Sequence, residues 1–75
     1  MLAAYQTFHQ YMQTRRRTKT TMGDFVEDAV HDKQLPDAQT WDELESYLIY
    51  NHACAEALRV GRRWWARYQK HLAKE

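Results

Sequence analysis

Large apolar residues recur at helical spacing along most of the chain, and no segment makes a case for a strand. From Leu2 to about Gln13 the positions Leu2, Tyr5, Phe8 and Met12 repeat with polar residues between them, which predicts a first helix. Thr14 to Thr20 is polar and rich in β-branched threonine, and it reads as an exposed loop. Thr20 or Thr21 can cap a second helix whose inner face is Met22, Phe25, Val26 and Ala29. Asp24, Glu27 and Asp28 suit the positive N-terminal end of that helix. Lys33 to Gln39 holds the only proline, Pro36, and is a connection, since proline pushes Leu35 away from helical geometry. Thr40-Trp41-Asp42-Glu43 fits a capping box, so a third helix begins near Trp41 with Trp41, Leu44, Tyr47 and Leu48 inward. Ala53 to Arg59 predicts a short fourth helix with Leu58 inside. Gly61 then predicts a break before the last helix, because glycine is poor in helix interiors.

The last helix carries two stripes. At about 100° per residue, Arg63, Arg67, Lys70 and Lys74 fall within roughly 60° of one another, and Trp65, Tyr68 and Leu72 cluster on the far side. Trp65 is expected in the core. Trp64 lies roughly 100° from it, at the border of the two faces, where it either packs inward or stays partly exposed as an interaction hot spot.

The 75 residues suffice for one domain, 1–75, of about the smallest size that folds without staples, and the 13% aromatic share supplies a small core with few side chains. The fold class is all-α: a compact bundle of four to five short helices with a longer C-terminal helix. One cysteine, Cys54, excludes an intramolecular disulfide and fits a reducing compartment, and its apolar context predicts burial. No run is long enough for a membrane span and the N-terminus lacks the apolar block of a signal peptide, so the cytoplasm is expected.

The net charge of +1 conceals a segregation. Residues 1–19 carry Arg15, Arg16, Arg17 and Lys19 and no acid; residues 20–58 carry nine acids against Lys33; residues 59–75 carry six bases and one acid. Catalytic chemistry is not expected. His9, His31, His52 and His71 are scattered without the spacing of a helical zinc site. No nucleophile motif is present, two glycines cannot build a phosphate loop, and the paired acids Asp42 and Glu43 are explained by the helix start. No cofactor, metal or small-molecule substrate is expected.

A short aromatic first helix is followed by Phe25 and Ala29, Asp32 before Leu35-Pro36, then Trp41-Asp42-Glu43-Leu44, Ser46-Tyr47-Leu48 and Asn51, and finally Trp65-x-x-Tyr68. In this order the chain resembles the YozE-like family of short bacterial proteins, and the resemblance implies a SAM-like (sterile-alpha-motif-like) helical bundle over nearly the whole chain. It supplies no mechanism. Leu35 and Gly61 stand where the family usually has phenylalanine, and Arg62-Arg63 stand where it tends to be acidic.

Three readings of the basic residues stay open. They form a solvated face, with arginine stems covering aromatic rings; or they bind nucleic acid, Arg15, Arg16, Arg17 and Lys19 joining Arg62, Arg63, Arg67, Lys70 and Lys74 on phosphates; or they bind protein. The pI of about 7.9 is low for a dedicated nucleic-acid binder. SAM domains commonly associate head to tail, and the resemblance implies a pairing of Asp37, Asp42 and Glu45 on one copy with Arg62, Arg63 and Arg67 on the next. The expectation is a non-enzymatic interaction module that binds another protein or itself, with nucleic-acid binding as the alternative and no membrane partner.

Overall fold

Three threonines start three helices. The computed structural model describes residues 6–73, and within them lie α1 (Phe8–Gln13), α2 (Thr21–His31), α3 (Trp41–Tyr50) and α4 (Ala55–Ala73). Thr7 Oγ1 accepts from the Gln10 N–H at 3.1 Å while Gln10 Oε1 accepts from the Thr7 N–H at 2.9 Å, a reciprocal capping box. That box sets the start of α1 at Phe8 and corrects the expected run from Leu2, since Gln6 and Thr7 are not helical and Thr7 is extended as the cap; Leu2 and Tyr5 lie outside the described residues. Thr20 caps α2 by accepting from the Gly23 N–H at 3.2 Å. Thr40 caps α3 through the Glu43 N–H at 3.3 Å. The Glu43 carboxylate does not close a box on Thr40: it reaches one residue further, to the Gln39 N–H at 2.7 Å.

The end of α3 depends on a left-handed residue. His52 has φ of 65°, which lets the His52 N–H reach the Ile49 carbonyl at 2.9 Å and the Ala53 N–H reach the Leu48 carbonyl at 2.9 Å. These two bonds make a Schellman closure and turn the chain sharply into α4.

The break expected at Gly61 is absent. Residues 55–73 form one helix, so the five-helix count is corrected to four among the described residues. The reason is tertiary. A Cβ on Gly61 would stand 3.0 Å from Phe25 Cε2 and 3.4 Å from Leu48 Cδ1, so glycine lets α4 lie close against α2 and α3. Leu58, expected inside, is half-buried. Cys54 is corrected as well: it is exposed, at the start of α4, where its carbonyl accepts from the Leu58 N–H at 3.0 Å and its Sγ from the Ala57 N–H at 3.4 Å. A residue that caps a helix faces its open end, which the apolar neighbours of Cys54 in sequence do not reveal.

Aromatic rings hold α4 to α1. Phe8, fully buried, lies 5.3 Å from Trp65, 5.4 Å from Tyr68 and 6.4 Å from Phe25, measured between ring centres. Met12, Val26 and Leu44 complete the interior. Tyr68 donates to the Gln6 carbonyl at 2.6 Å, tying the two ends of the described chain together. Asp32 closes the far side: it caps the α2–α3 connection by accepting from the Gln34 N–H at 3.0 Å, and it accepts a hydrogen bond from the Tyr47 hydroxyl at 2.7 Å.

Candidate interaction face

The basic loop after α1 is fixed in place by a glycine. At Gly23 a Cβ would fall 1.9 Å from the Thr18 carbonyl oxygen, so the loop backbone crosses the first turn of α2 in contact with it. Thr18 and Thr20 hydroxyls share a hydrogen bond of 2.7 Å beside the crossing. Ahead of the crossing, Arg15 lies over Tyr11 on the side of α1 that meets α4.

An edge-to-face ring contact joins the two basic segments. Arg15 Cζ lies 4.7 Å above the Tyr11 ring, and Tyr11 lies 6.4 Å from Trp64 and 5.1 Å from His71. Arg67 Cζ lies 5.1 Å above Trp64. The result is one seam, Arg15–Tyr11–Trp64–Arg67, running from α1 to α4. Each guanidinium sits over an aromatic face; Arg15 spends its Nε–H on Thr14 Oγ1 at 3.1 Å and keeps its terminal N–H groups for an acceptor. Arg63, Arg67 and Lys70 are exposed along the same flank of α4, and Arg16 and Lys19 are exposed on the loop. Lys74 lies outside the described residues.

Two of the sequence candidates point elsewhere. Arg17 pairs with Glu27 on α2 at 3.3 Å, and the same glutamate takes His31 at 2.9 Å. Arg62 sits over Trp41 at 5.8 Å, on the α3 side of α4, away from the seam. Trp64 is not the exposed anchor that its border position allowed: it is 6% exposed, and its indole N–H donates to the Met22 carbonyl at 2.9 Å. Tyr11 and Arg67 cover the rest of the ring, a coverage that depends on where α1 docks.

Below the basic flank lies a feature that sequence reasoning missed. A cleft of about 160 Å³ opens between α2 and the start of α4, with Asp24, Asp28 and Glu56 around a floor of Phe25, Ala57 and Val60, and Cys54 at its edge. A neighbouring depression shares Thr21, Glu56 and Val60 with it and continues to Arg59 and Arg63. A third shares Phe25, Asp28 and Ala57 and ends at Asp32 and Asn51. Acidic and basic halves therefore adjoin on one surface. The signal in the sequence is the pair Asp24 and Asp28, one helical turn apart, which the helix dipole alone had explained. Among the described residues no group of three His, Cys, Asp or Glu side chains could hold a metal ion, and no helix is long and apolar enough to cross a membrane.

A family model described as the YozE SAM-like fold matches residues 7–70. No curated protein and no solved structure matches the chain.

Proposed function

The chain belongs to the YozE SAM-like family, a membership that fixes a fold and no activity, and from its surface we propose that it is a non-enzymatic protein-binding module of the cytoplasm. The observation that supports this reading is the seam from Arg15 to Arg67, which joins the loop and helix cations into one face backed by aromatic rings. Guanidinium groups already held over a ring lose little further freedom on binding and offer paired donors to carboxylates. The partner surface is acidic. Arg15, Arg16, Arg63, Arg67 and Lys70 carry the contact, whereas Arg17 and Arg62 are engaged within the chain.

Protein fits this face better than nucleic acid. Asp24, Asp28 and Glu56 adjoin Arg63 on the same flank and repel a phosphate backbone. Trp64 and Tyr11 are covered, so the seam offers no ring on which a base could stack. The test uses native protein and the double variant Arg63→Glu with Arg67→Glu as baits in host extract, beside titrations with duplex and single-stranded DNA and RNA at low and moderate salt. A protein retained by the native bait and lost by the variant is expected, with no nucleic-acid shift at micromolar protein. A nucleic-acid shift that the double variant removes would replace this reading with the other.

A further inference from the structure

The same flank of the molecule carries both signs of charge in separate halves. On α4, Glu56, Arg63, Arg67 and Lys70 fall within roughly 60° of one another, so the acidic start and the basic end of the helix share one side. Glu56 and Arg67 are about 16 Å apart along the axis at 1.5 Å per residue. On α2, Thr21, Asp24, Phe25 and Asp28 line the cleft at helical spacing and enlarge the acidic half. Among the described residues Asp24, Asp28, Glu56, Arg63, Arg67 and Lys70 form no ion pair within the chain. Phe25, Ala57 and Val60 floor the cleft within the acidic half, and Val60 also borders the depression that leads to Arg63.

We propose that two copies of this chain associate antiparallel across the α2–α4 flank, about a two-fold axis near Thr21 and Val60. Arg63, Arg67 and Lys70 of each copy then meet Asp24, Asp28 and Glu56 of the other. The proposal rests on the reading of the basic flank as the binding face and names what it binds. A half turn about an axis that lies in the plane of contact, perpendicular to α4, brings the two flanks face to face and exchanges their ends, so one surface supplies both halves of the contact and every ion-pair set occurs twice. Such an isologous contact closes at two copies. The head-to-tail pairing implied by SAM domains uses two different surfaces and gives rings or open polymers in place of a two-fold dimer. The cleft supplies the apolar centre that exposed ion pairs alone lack, because arginine stems lie along Phe25 and Val60 while their guanidinium groups reach the carboxylates. Contacts made chiefly by exposed charge weaken as salt rises.

Cys54 reports the register. It is exposed at the acidic end, it is the only thiol, and it stands about 24 Å along α4 from Lys70 of its own chain. The half turn places it beside the basic end of the other copy. A short thiol–amine cross-linker attached at Cys54 is therefore expected to capture Lys70 between chains and not within one.

Sedimentation of the native protein over a wide concentration range at low salt should show a monomer–dimer equilibrium with no larger species, shifting to monomer at high salt. Arg63→Glu with Arg67→Glu should be monomeric and still helical by circular dichroism. Adding Asp24→Lys and Asp28→Lys to the same chain should restore the dimer. Native protein that stays monomeric at low salt, while the basic flank still captures an acidic partner, overturns the dimer and leaves the binding-module reading standing. Species that keep growing with concentration overturn the two-fold arrangement in favour of head-to-tail growth. A reversed chain that remains folded but monomeric overturns the pairing of these charges.

Discussion

Tyr47 joins two elements through one proton. Its hydroxyl donates to Asp32 Oδ2 at 2.7 Å, linking α3 to the end of α2. That hydrogen bond, aided by burial and by the charge of the carboxylate, pushes the phenol up from its ordinary value of 10.0 to about 12. The folded state therefore holds this proton more tightly than the unfolded chain does. The stability that follows from it is fully present below pH 10 and is lost as pH rises from there through about 12. At neutral pH, Tyr47→Phe should lower stability by about 1 kcal/mol, the net worth of one such bond at a half-buried position. The difference between native and variant should shrink across the alkaline window, because only the native protein has this proton to lose. Chemical denaturation of both proteins at a series of pH values measures it, and a difference that stays constant above pH 10 would refute the account.

At the scale of the element, two glycines look alike in sequence and differ in what surrounds them. Gly23 faces backbone: an added Cβ would meet the Thr18 carbonyl at 1.9 Å, and neither α2 nor the crossing loop can yield without moving. Gly23→Ala should cost about 2–3 kcal/mol, at the upper end of overpacking changes, and loosen the basic loop. Gly61 faces the Phe25 ring at 3.0 Å, and that ring borders open clefts into which it can shift by a few tenths of an ångström. Gly61→Ala gains about 1 kcal/mol of helix propensity against that strain and should leave stability within about 1 kcal/mol of native. Thermal unfolding of the two variants side by side distinguishes them. The same contrast explains what could be read from the sequence. The inner faces of α2 and α3, the caps at Thr20 and Thr40 and the burial of Trp65 and Tyr68 follow from local spacing, and the Trp65-x-x-Tyr68 pair with its upstream motifs was enough to indicate the family; the cap at Thr7 was not read, because the apolar repeat runs on through it. The continuity of α4 through Gly61 was not legible, because it depends on a ring 36 positions away in the chain. Neither was the burial of Trp64, which depends on Tyr11 lying over it, nor the exposure of Cys54 at the mouth of a helix. Of the candidate face, the cations on α4 were visible as a stripe; the acidic half needed α2 and α4 to be set side by side.

The whole molecule depends on a helix too short to exist alone. α1 has six residues, well below the roughly 12–15 at which an isolated helix becomes marginal in water, so it forms because Phe8, Tyr11 and Met12 dock against α4 and α2. Phe8 is the centre of that docking, touching rings from both elements. Replacing a buried phenylalanine by alanine costs about 3–5 kcal/mol, which equals or exceeds what a core of this size supplies in total. Phe8→Ala should therefore unfold the whole domain at 25 °C and not merely release α1, since Trp65 and Tyr68 lose their cover and α4 loses its reason to lie where it does. Binding should disappear with it, because the seam from Arg15 to Arg67 exists only while α1 is docked. Far-UV circular dichroism and tryptophan emission report the two consequences together. Retention of native helicity with Trp64 and Trp65 shielded as in the native protein would mean that the core is completed by something other than α1.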